Sequence, residues 1–167
     1  NRTLSSSHWV TISGGDPLMW PNTAQLCTYL KRFWKVAIET QGAFYHLWLA
    51  EMDLITVSPK PPSSGMVDKL DSEVLRHYNN LAALRRNVIF KIVVASEDDF
   101  IWARHIHDVY SGVPMYLSAY TQERFDKLDV CEHYQWLCER TLRESRMTDV
   151  TVLPQLHVLA WGHEKGR

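Results

Sequence analysis

Cysteine, glycine and proline are all scarce in this chain of 167 residues, which has three cysteines, seven glycines and seven prolines. An odd and small number of cysteines argues against a disulfide framework and fits a reducing cytoplasm, where we expect the protein to reside. The low glycine and proline content, with 46% hydrophobic and 22% charged residues, is typical of a folded globular protein. The length suffices for a continuous core, so we expect a single domain over residues 1–167.

An excess of charge of either sign is also lacking. Eighteen basic residues against nineteen acidic ones give a formal net charge of -1, so no basic surface for nucleic acid is indicated. No apolar run is long enough to span a bilayer, and the polar residues 1–8 lack the pattern of a signal peptide. The sequence therefore argues against a nucleic-acid or membrane partner.

Metal-ligand spacing is missing as well. Cys131 and Cys138 are seven residues apart on a predicted helix and share a face, but no third or fourth ligand is near them in the sequence. His105 and His107 are two apart in another predicted helix and would diverge. We therefore predict no metal site within these residues, and we expect buried structural cysteines.

Strand-like and helix-like segments alternate along the chain. The continuous β-branched run 87–95 is typical of a buried parallel strand. Ser96 marks the start of the next helix, with the spacing of a capping box to Asp99. The predicted strands are 8–13, 36–39, 54–58, 87–95, 113–120 and 150–157, and the predicted helices are 22–34, 68–86, 97–110 and 122–147, with a helical turn at 46–52. This alternation favours right-handed crossovers and a parallel sheet.

Polar residues stand at the carboxyl ends of the predicted strands, where parallel α/β folds bind their ligands. They are residues 13–16, 39–40, 58–60, 96–97, 118–120 and 155–157. We expect these residues to line one rim of the sheet.

Two of these segments have a distinctive composition. Gly14 and Gly15 directly follow a predicted strand, where paired glycines either let the backbone approach a ligand or form an ordinary turn. Residues 58–65 read SPKPPSSG, and their three prolines stiffen the loop that carries Lys60. That stiffness would pre-organise the lysine for binding, and a rigid surface loop with a solvated lysine is the alternative.

Two further pairs of residues leave a similar choice open. Glu39 and Thr40 could offer a carboxylate and a hydroxyl to a ribose or an amine, or could form a capped turn. Gln155 and His157 share one face of the last predicted strand and would point into the barrel, although a hydrogen-bonded structural histidine explains the pattern equally well. Pro154 within this strand suggests an edge or a bulge.

Six segments, in this order, resemble the 7-carboxy-7-deazaguanine synthase family: VTISGGDPLMW, VAIETQGAFYHLWL, DLITVSPKPPSSGM, FKIVVASEDDFIWAR, VPMYLSAY and VLPQLHVLAWG. The resemblance implies an incomplete parallel (β/α) barrel of the radical S-adenosylmethionine type. It implies a lyase that converts 6-carboxy-5,6,7,8-tetrahydropterin to 7-carboxy-7-deazaguanine in queuosine biosynthesis. The implied cofactors are S-adenosylmethionine, a 4Fe-4S cluster and Mg²⁺, and the implied assembly is a homodimer.

The resemblance also implies roles for individual residues. Ser13, Gly14, Gly15 and Asp16 match the motif that receives the methionine amino group, although the family usually has Glu where this chain has the shorter Asp16. The residues that match positions near the ribose and carboxylate of S-adenosylmethionine are Glu39, Thr40, Ser58 and Lys60. The residues that match the segment near the pterin are Gln155 and His157.

One element of the family has no counterpart in these residues. The Cys-x3-Cys-x2-Cys motif that holds the cluster does not occur, and neither does the Mg²⁺-binding hydroxyl that follows it. We therefore expect a fragment without the first strand and its cysteine loop, with an exposed sheet edge, and inactive on its own. The alternative is a non-catalytic or split-chain protein that binds S-adenosylmethionine or pterin without radical chemistry.

Overall fold

A six-stranded parallel sheet forms the centre of the protein. The computed structural model describes residues 8–66, 70–122 and 125–162. The strands are β1 (Trp9–Ile12), β2 (Lys35–Thr40), β3 (Leu54–Val57), β4 (Val88–Val94), β5 (Met115–Ala119) and β6 (Thr151–Leu153). They lie in the sheet in chain order, β1 to β6, and every neighbouring pair is parallel. The parallel α/β fold predicted from the sequence is thus confirmed.

Helical segments make most of the connections. The α-helices are α1 (Thr23–Leu30), α2 (Ser72–Arg85), α3 (Glu97–Val109), α4 (Lys127–Leu142) and α5 (Leu156–Trp161). Short 3-10 turns occupy Pro17–Met19, Leu47–Glu51 and Pro62–Ser64. None of the helices in the described part of the chain is both long and apolar enough to cross a membrane.

The helices pack against one face of the sheet. In β4, Phe90 and Ile92 are fully buried, and they share a core cluster with Tyr78 of α2 and Phe100 of α3. Burying each such side chain contributes about 1.5–3 kcal/mol, so packing on this face stabilises the fold. The alternate residues of β4, such as Lys91, are only partly buried and point to the opposite side. We call that side the open face.

Three of the described α-helices, α2, α3 and α4, begin after a side-chain cap, and the sequence pattern predicted one of these caps only in part. The hydroxyl of Ser96 accepts a hydrogen bond from the Asp99 N–H (3.3 Å), as predicted. The return half of the predicted capping box is wrong, because the Asp99 carboxylate accepts from the Ala95 N–H (2.9 Å) instead. A full capping box forms between Asp126 and Asp129, which is why α4 begins at Lys127 and not at residue 122.

The end of the sheet differs most from the prediction. The last strand was expected over residues 150–157, but β6 ends at Leu153. Pro154 has no N–H to donate to a neighbouring strand, and the residues after it form α5. Gln155 therefore precedes a helix and His157 lies within it, so the expectation that both share one strand face is wrong.

The cysteines are less uniform than expected. Cys27 is fully buried in the core, and burial raises the pKa of its thiol. Cys131 is exposed and Cys138 is partly exposed, because α4 packs on the sheet through Val130 and Leu137. The prediction of buried structural cysteines, made from Cys131 and Cys138, is therefore wrong for Cys131, and Cys138 is only partly buried.

Gly42, just after β2, is predicted to tolerate no side chain. Its φ is +81°, and a Cβ there would stand 2.7 Å from Cγ1 of Val57, a buried side chain of β3. Backbone strain and the steric clash should together lower the free energy of unfolding of Gly42→Ala by about 2–4 kcal/mol. Gly65→Ala is the matched control, since its φ is +66° but a Cβ would meet nothing within 4 Å. Urea denaturation that gave equal losses for the two variants would contradict the clash.

Candidate ligand-binding site

The carboxyl ends of the strands and the loops that follow them form one edge of the sheet, which we call the rim. Two adjoining clefts lie there. The first has a volume of about 350 Å³, and the residues lining it include Asp16, Gln41, Phe44 and Lys60. The second has a volume of about 590 Å³, and the residues lining it include Lys60, Ser63, Val93, Tyr120 and Gln155. Lys60 lines both clefts. The rim therefore brings together loops that follow β1, β2, β3, β5 and β6, together with the end of β4.

The Asp16 carboxylate holds two rim loops together. It is buried, and it accepts hydrogen bonds from the Thr40 hydroxyl at 2.9 and 3.0 Å, the Gln41 N–H at 3.2 Å and the Leu18 N–H at 3.1 Å. Three donors thus reach the carboxylate, and the Thr40 hydroxyl lies within hydrogen-bond distance of both oxygens. The Asp16 side chain is therefore committed to the protein, and a ligand at this motif would meet the backbone around it.

Gly14 and Gly15 determine the conformation of that backbone. Their φ angles are +100° and +56°, which a residue with a side chain rarely adopts. Both glycines are exposed, as is Ser13 before them, and a Cβ at either glycine would meet nothing within 4 Å. The conformation of the loop, more than the space around it, thus requires glycine here.

Glu39 and Thr40, predicted together, point to opposite sides of β2. Thr40 is buried, and besides bonding Asp16 its hydroxyl accepts from the Gly42 N–H at 3.2 Å. Ser58 is also buried, and its N–H donates to the Thr40 carbonyl at 2.7 Å. The structure therefore places Thr40 and Ser58 beneath the rim, where they support it.

Glu39 faces the open side and pairs with a residue that the sequence analysis did not single out. Its Oε1 lies 2.7 Å from Nζ of Lys91 in β4, so the ion pair spans β3. Both side chains are about a third exposed, at 31% and 32%. Within the described residues no hydrogen bond is made to the second oxygen of Glu39. The single charged residue that interrupts the apolar run of each strand, Glu39 after 36–38 in β2 and Lys91 in β4, could have indicated this pair.

Lys60 lies on the proline-rich loop and is partly exposed. In the described part of the chain it makes no ion pair or hydrogen bond with another side chain. Gln155 lies across the second cleft, where its amide donates to the Ala119 carbonyl at 3.2 Å and accepts from the Thr121 hydroxyl at 2.9 Å. His157 is exposed on α5 and does not line either cleft.

Tyr78 closes the rim from the helix side. Its hydroxyl donates to the Phe44 carbonyl at 2.7 Å. Burial raises the pKa of Tyr78 far above its usual value, and the nearby negative charge of Asp16 raises it further. The tyrosine therefore stays neutral and remains a hydrogen-bond donor at physiological pH.

The residues present do not fit a metal centre. Among the described residues, no group of three or more His, Cys, Asp or Glu side chains is placed to hold a metal ion. Cys27 lies in the core and the other two cysteines lie on α4, so the three thiols do not converge. These residues offer no ligand set for an iron–sulfur cluster.

Comparison with known proteins assigns the chain to a family. The chain is 36% identical over 167 residues to 7-carboxy-7-deazaguanine synthase of Bacillus cereus, a match that covers 94% of the chain and 68% of that protein. The Bacillus subtilis enzyme of the same name is 34% identical, with the same coverage. The chain belongs to the 7-carboxy-7-deazaguanine synthase family. The resemblance carried by the six sequence segments is thereby confirmed, and no protein-family model matches the chain.

Solved structures confirm the fold class. SuiB of Streptococcus suis, bound to its precursor peptide SuiA, superposes with a TM-score of 0.61 at 12% identity, over 91% of this chain and 40% of SuiB. SuiB bound to S-adenosylmethionine gives a TM-score of 0.60 at 13% identity, over 93% of this chain and 42% of SuiB. At this identity the likeness shows the fold alone, and it agrees with the expected radical S-adenosylmethionine type of α/β fold. The synthase-family chain thus spans about two fifths of SuiB.

Replacing Thr40 by valine tests the support beneath the rim. Valine keeps the shape of threonine but removes the hydroxyl that serves both Asp16 and the Gly42 N–H. Because a buried carboxylate would lose a donor, the free energy of unfolding should fall by about 1–3 kcal/mol. Thr28→Val is the control, since its hydroxyl bonds the Ala24 carbonyl on an exposed helix face and its loss should cost under about 0.5 kcal/mol. Equal effects in chemical denaturation would show that the Asp16–Thr40 contact stabilises little.

Proposed function

We propose that this chain carries the part of a 7-carboxy-7-deazaguanine synthase that binds S-adenosylmethionine and the pterin. The whole enzyme would convert 6-carboxy-5,6,7,8-tetrahydropterin to 7-carboxy-7-deazaguanine in the route to queuosine, as a radical S-adenosylmethionine lyase. The observation that carries the proposal is the position of Lys60, a cation on a proline-stiffened loop that lines both rim clefts. For the whole enzyme we also propose Mg²⁺, a homodimer and a cytoplasmic location, on the family resemblance alone.

The first cleft suits the methionine part of S-adenosylmethionine. Lys60 offers a positive charge to the carboxylate, and a charge-assisted hydrogen bond of this kind is about twice as strong as a neutral one. The amino group would meet the backbone of Ser13, Gly14 and Gly15, since the Asp16 side chain already has its partners. We propose these residues as the cofactor contacts, with Thr40 and Ser58 as buried supports.

Glu39 suits hydroxyl or N–H donors of a ligand on the open face. Lys91 binds one carboxylate oxygen, and among the described residues no hydrogen bond is made to the other. A ribose hydroxyl or a ring N–H could donate to that oxygen. Because the ion pair holds the carboxylate across β3, Glu39 would meet the ligand with little further ordering of its side chain.

The second cleft suits a flat heterocycle. Val93 and Ala95 give it an apolar floor, and Tyr120 and the Gln155 amide stand at its side. The two hydrogen bonds of Gln155 fix the plane of its amide beside the cleft. We propose Gln155 as a pterin contact. The same role for His157 remains a prediction from the family resemblance, without support from the clefts.

Binding without radical chemistry is a second candidate function for these 167 residues. The rim offers places for both ligands, whereas the three cysteines do not converge on a cluster site. Both candidates share the prediction that S-adenosylmethionine binds at Lys60.

A titration of S-adenosylmethionine by calorimetry tests that prediction. Lys60→Ala should raise the dissociation constant by about tenfold or more, because a hydrogen bond to a charged group is lost. Lys127→Ala, which removes an exposed lysine at the start of α4, is the matched control and should bind as the original chain does. Unchanged affinity in Lys60→Ala would remove the proposed role of Lys60.

A change of ligand makes the test specific for the carboxylate. Decarboxylated S-adenosylmethionine lacks the group that Lys60 is proposed to bind. The original chain and Lys60→Ala should therefore bind this analogue with similar affinity. A difference that persists with the analogue would assign Lys60 to another part of the ligand.

A further inference from the structure

A fully buried carboxylate ties the proline-rich loop to the body of the protein. Asp99, in the first turn of α3, has no exposed surface. Its Oδ1 accepts from the Ser63 N–H at 3.0 Å, and its Oδ2 accepts from the Ser63 hydroxyl at 2.6 Å and from the Ala95 N–H at 2.9 Å. One side chain thus joins the loop after β3, the end of β4 and the start of α3.

Helix capping does not account for these contacts. Ser96 already caps α3 by accepting from the Asp99 N–H. The Asp99 carboxylate bonds no N–H of its own helix, and two of its three donors belong to Ser63. A buried carboxylate is costly unless it is well hydrogen-bonded, and these three donors together with the helix dipole supply that compensation. The arrangement therefore fixes the position of Ser63.

A stiff segment couples the position of Lys60 to that of Ser63. Only Pro61 and Pro62 lie between them, and each proline ring fixes φ. The turn is closed by a hydrogen bond from the Ser64 hydroxyl to the Pro61 carbonyl at 2.6 Å and by one from the Gly65 N–H to the Pro62 carbonyl at 3.0 Å. A shift of Ser63 would therefore displace Lys60 by a similar distance.

We propose that Asp99 is a positioning residue that acts through Ser63 to set where Lys60 meets the carboxylate of S-adenosylmethionine. The proposal rests on the proposed function, because it needs a ligand at Lys60. Asp99 itself touches no ligand. Its role is to keep the loop in the binding geometry before the ligand arrives, which lowers the ordering cost of binding.

Ser63→Ala is the main test, because removing the buried Asp99 side chain could unfold the protein. The variant keeps the Ser63 N–H bond and loses only the hydroxyl bond to Asp99. We expect about three- to tenfold weaker binding of S-adenosylmethionine, with faster amide hydrogen exchange at residues 63–66. Asp99→Asn should act in the same direction, with Asp71→Asn, the cap of α2, as its control for a general loss of stability.

A double-mutant cycle separates positioning from a general structural effect. If Asp99 and Ser63 act through Lys60, then Ser63→Ala should have no further effect on affinity in a Lys60→Ala background. An equal effect in both backgrounds would overturn the proposal, and so would unchanged affinity and amide exchange in Ser63→Ala. Both outcomes leave the proposed function intact if Lys60→Ala alone weakens binding. No binding by the original chain would refute the proposed function and the positioning role together.

Discussion

The structure depends on one constraint, which is that α1 to α4 pack into a single core against a parallel sheet whose strands follow in chain order. Crossovers between successive parallel strands are almost always right-handed, and with strands in chain order this places the connecting helices on one side. The helix side then takes the branched and aromatic residues, such as Phe90 and Ile92, and excludes water from them. The opposite side is left free of that requirement. It can therefore hold the Glu39–Lys91 ion pair, which would be costly to bury in the core.

The same constraint brings every βα loop to one rim, where two buried carboxylates give the loops their shape. Asp16 binds the loops after β1 and β2 to each other, and Asp99 binds the loop after β3 to the end of β4. Each accepts at least three hydrogen bonds, which offset the cost of removing its charge from water. Among the described residues that line the clefts, Asp16 is already hydrogen-bonded within the protein, whereas Lys60 has no side-chain partner and can bind a ligand.

Much of the fold and of the rim could be predicted from the sequence where the local sequence pattern and the fold agree. The continuous run of β4, the cap at Ser96 and the polar residues at strand ends all follow from spacing and side-chain chemistry. The last strand was predicted too long because its apolar alternation continues past Pro154, while the chain turns into a helix. The contact of Asp99 with Ser63 joins residues 36 apart and depends on how two loops meet. No periodicity carries that information, so only the folded arrangement reveals it.

The short carboxylate at position 16 has a consequence for how the rim could bind a ligand. A glutamate, the usual residue of the family, would carry its carboxylate one methylene further from the backbone and could reach out of the loop. Asp16 cannot do so while it accepts from Thr40, Gln41 and Leu18. The negative charge here stabilises the loop, and under the proposed function recognition of an ammonium group would pass to backbone carbonyls and to the conformation of Gly14 and Gly15. Ligand selection at this rim would then depend more on loop geometry and on Lys60 than on an acidic side chain.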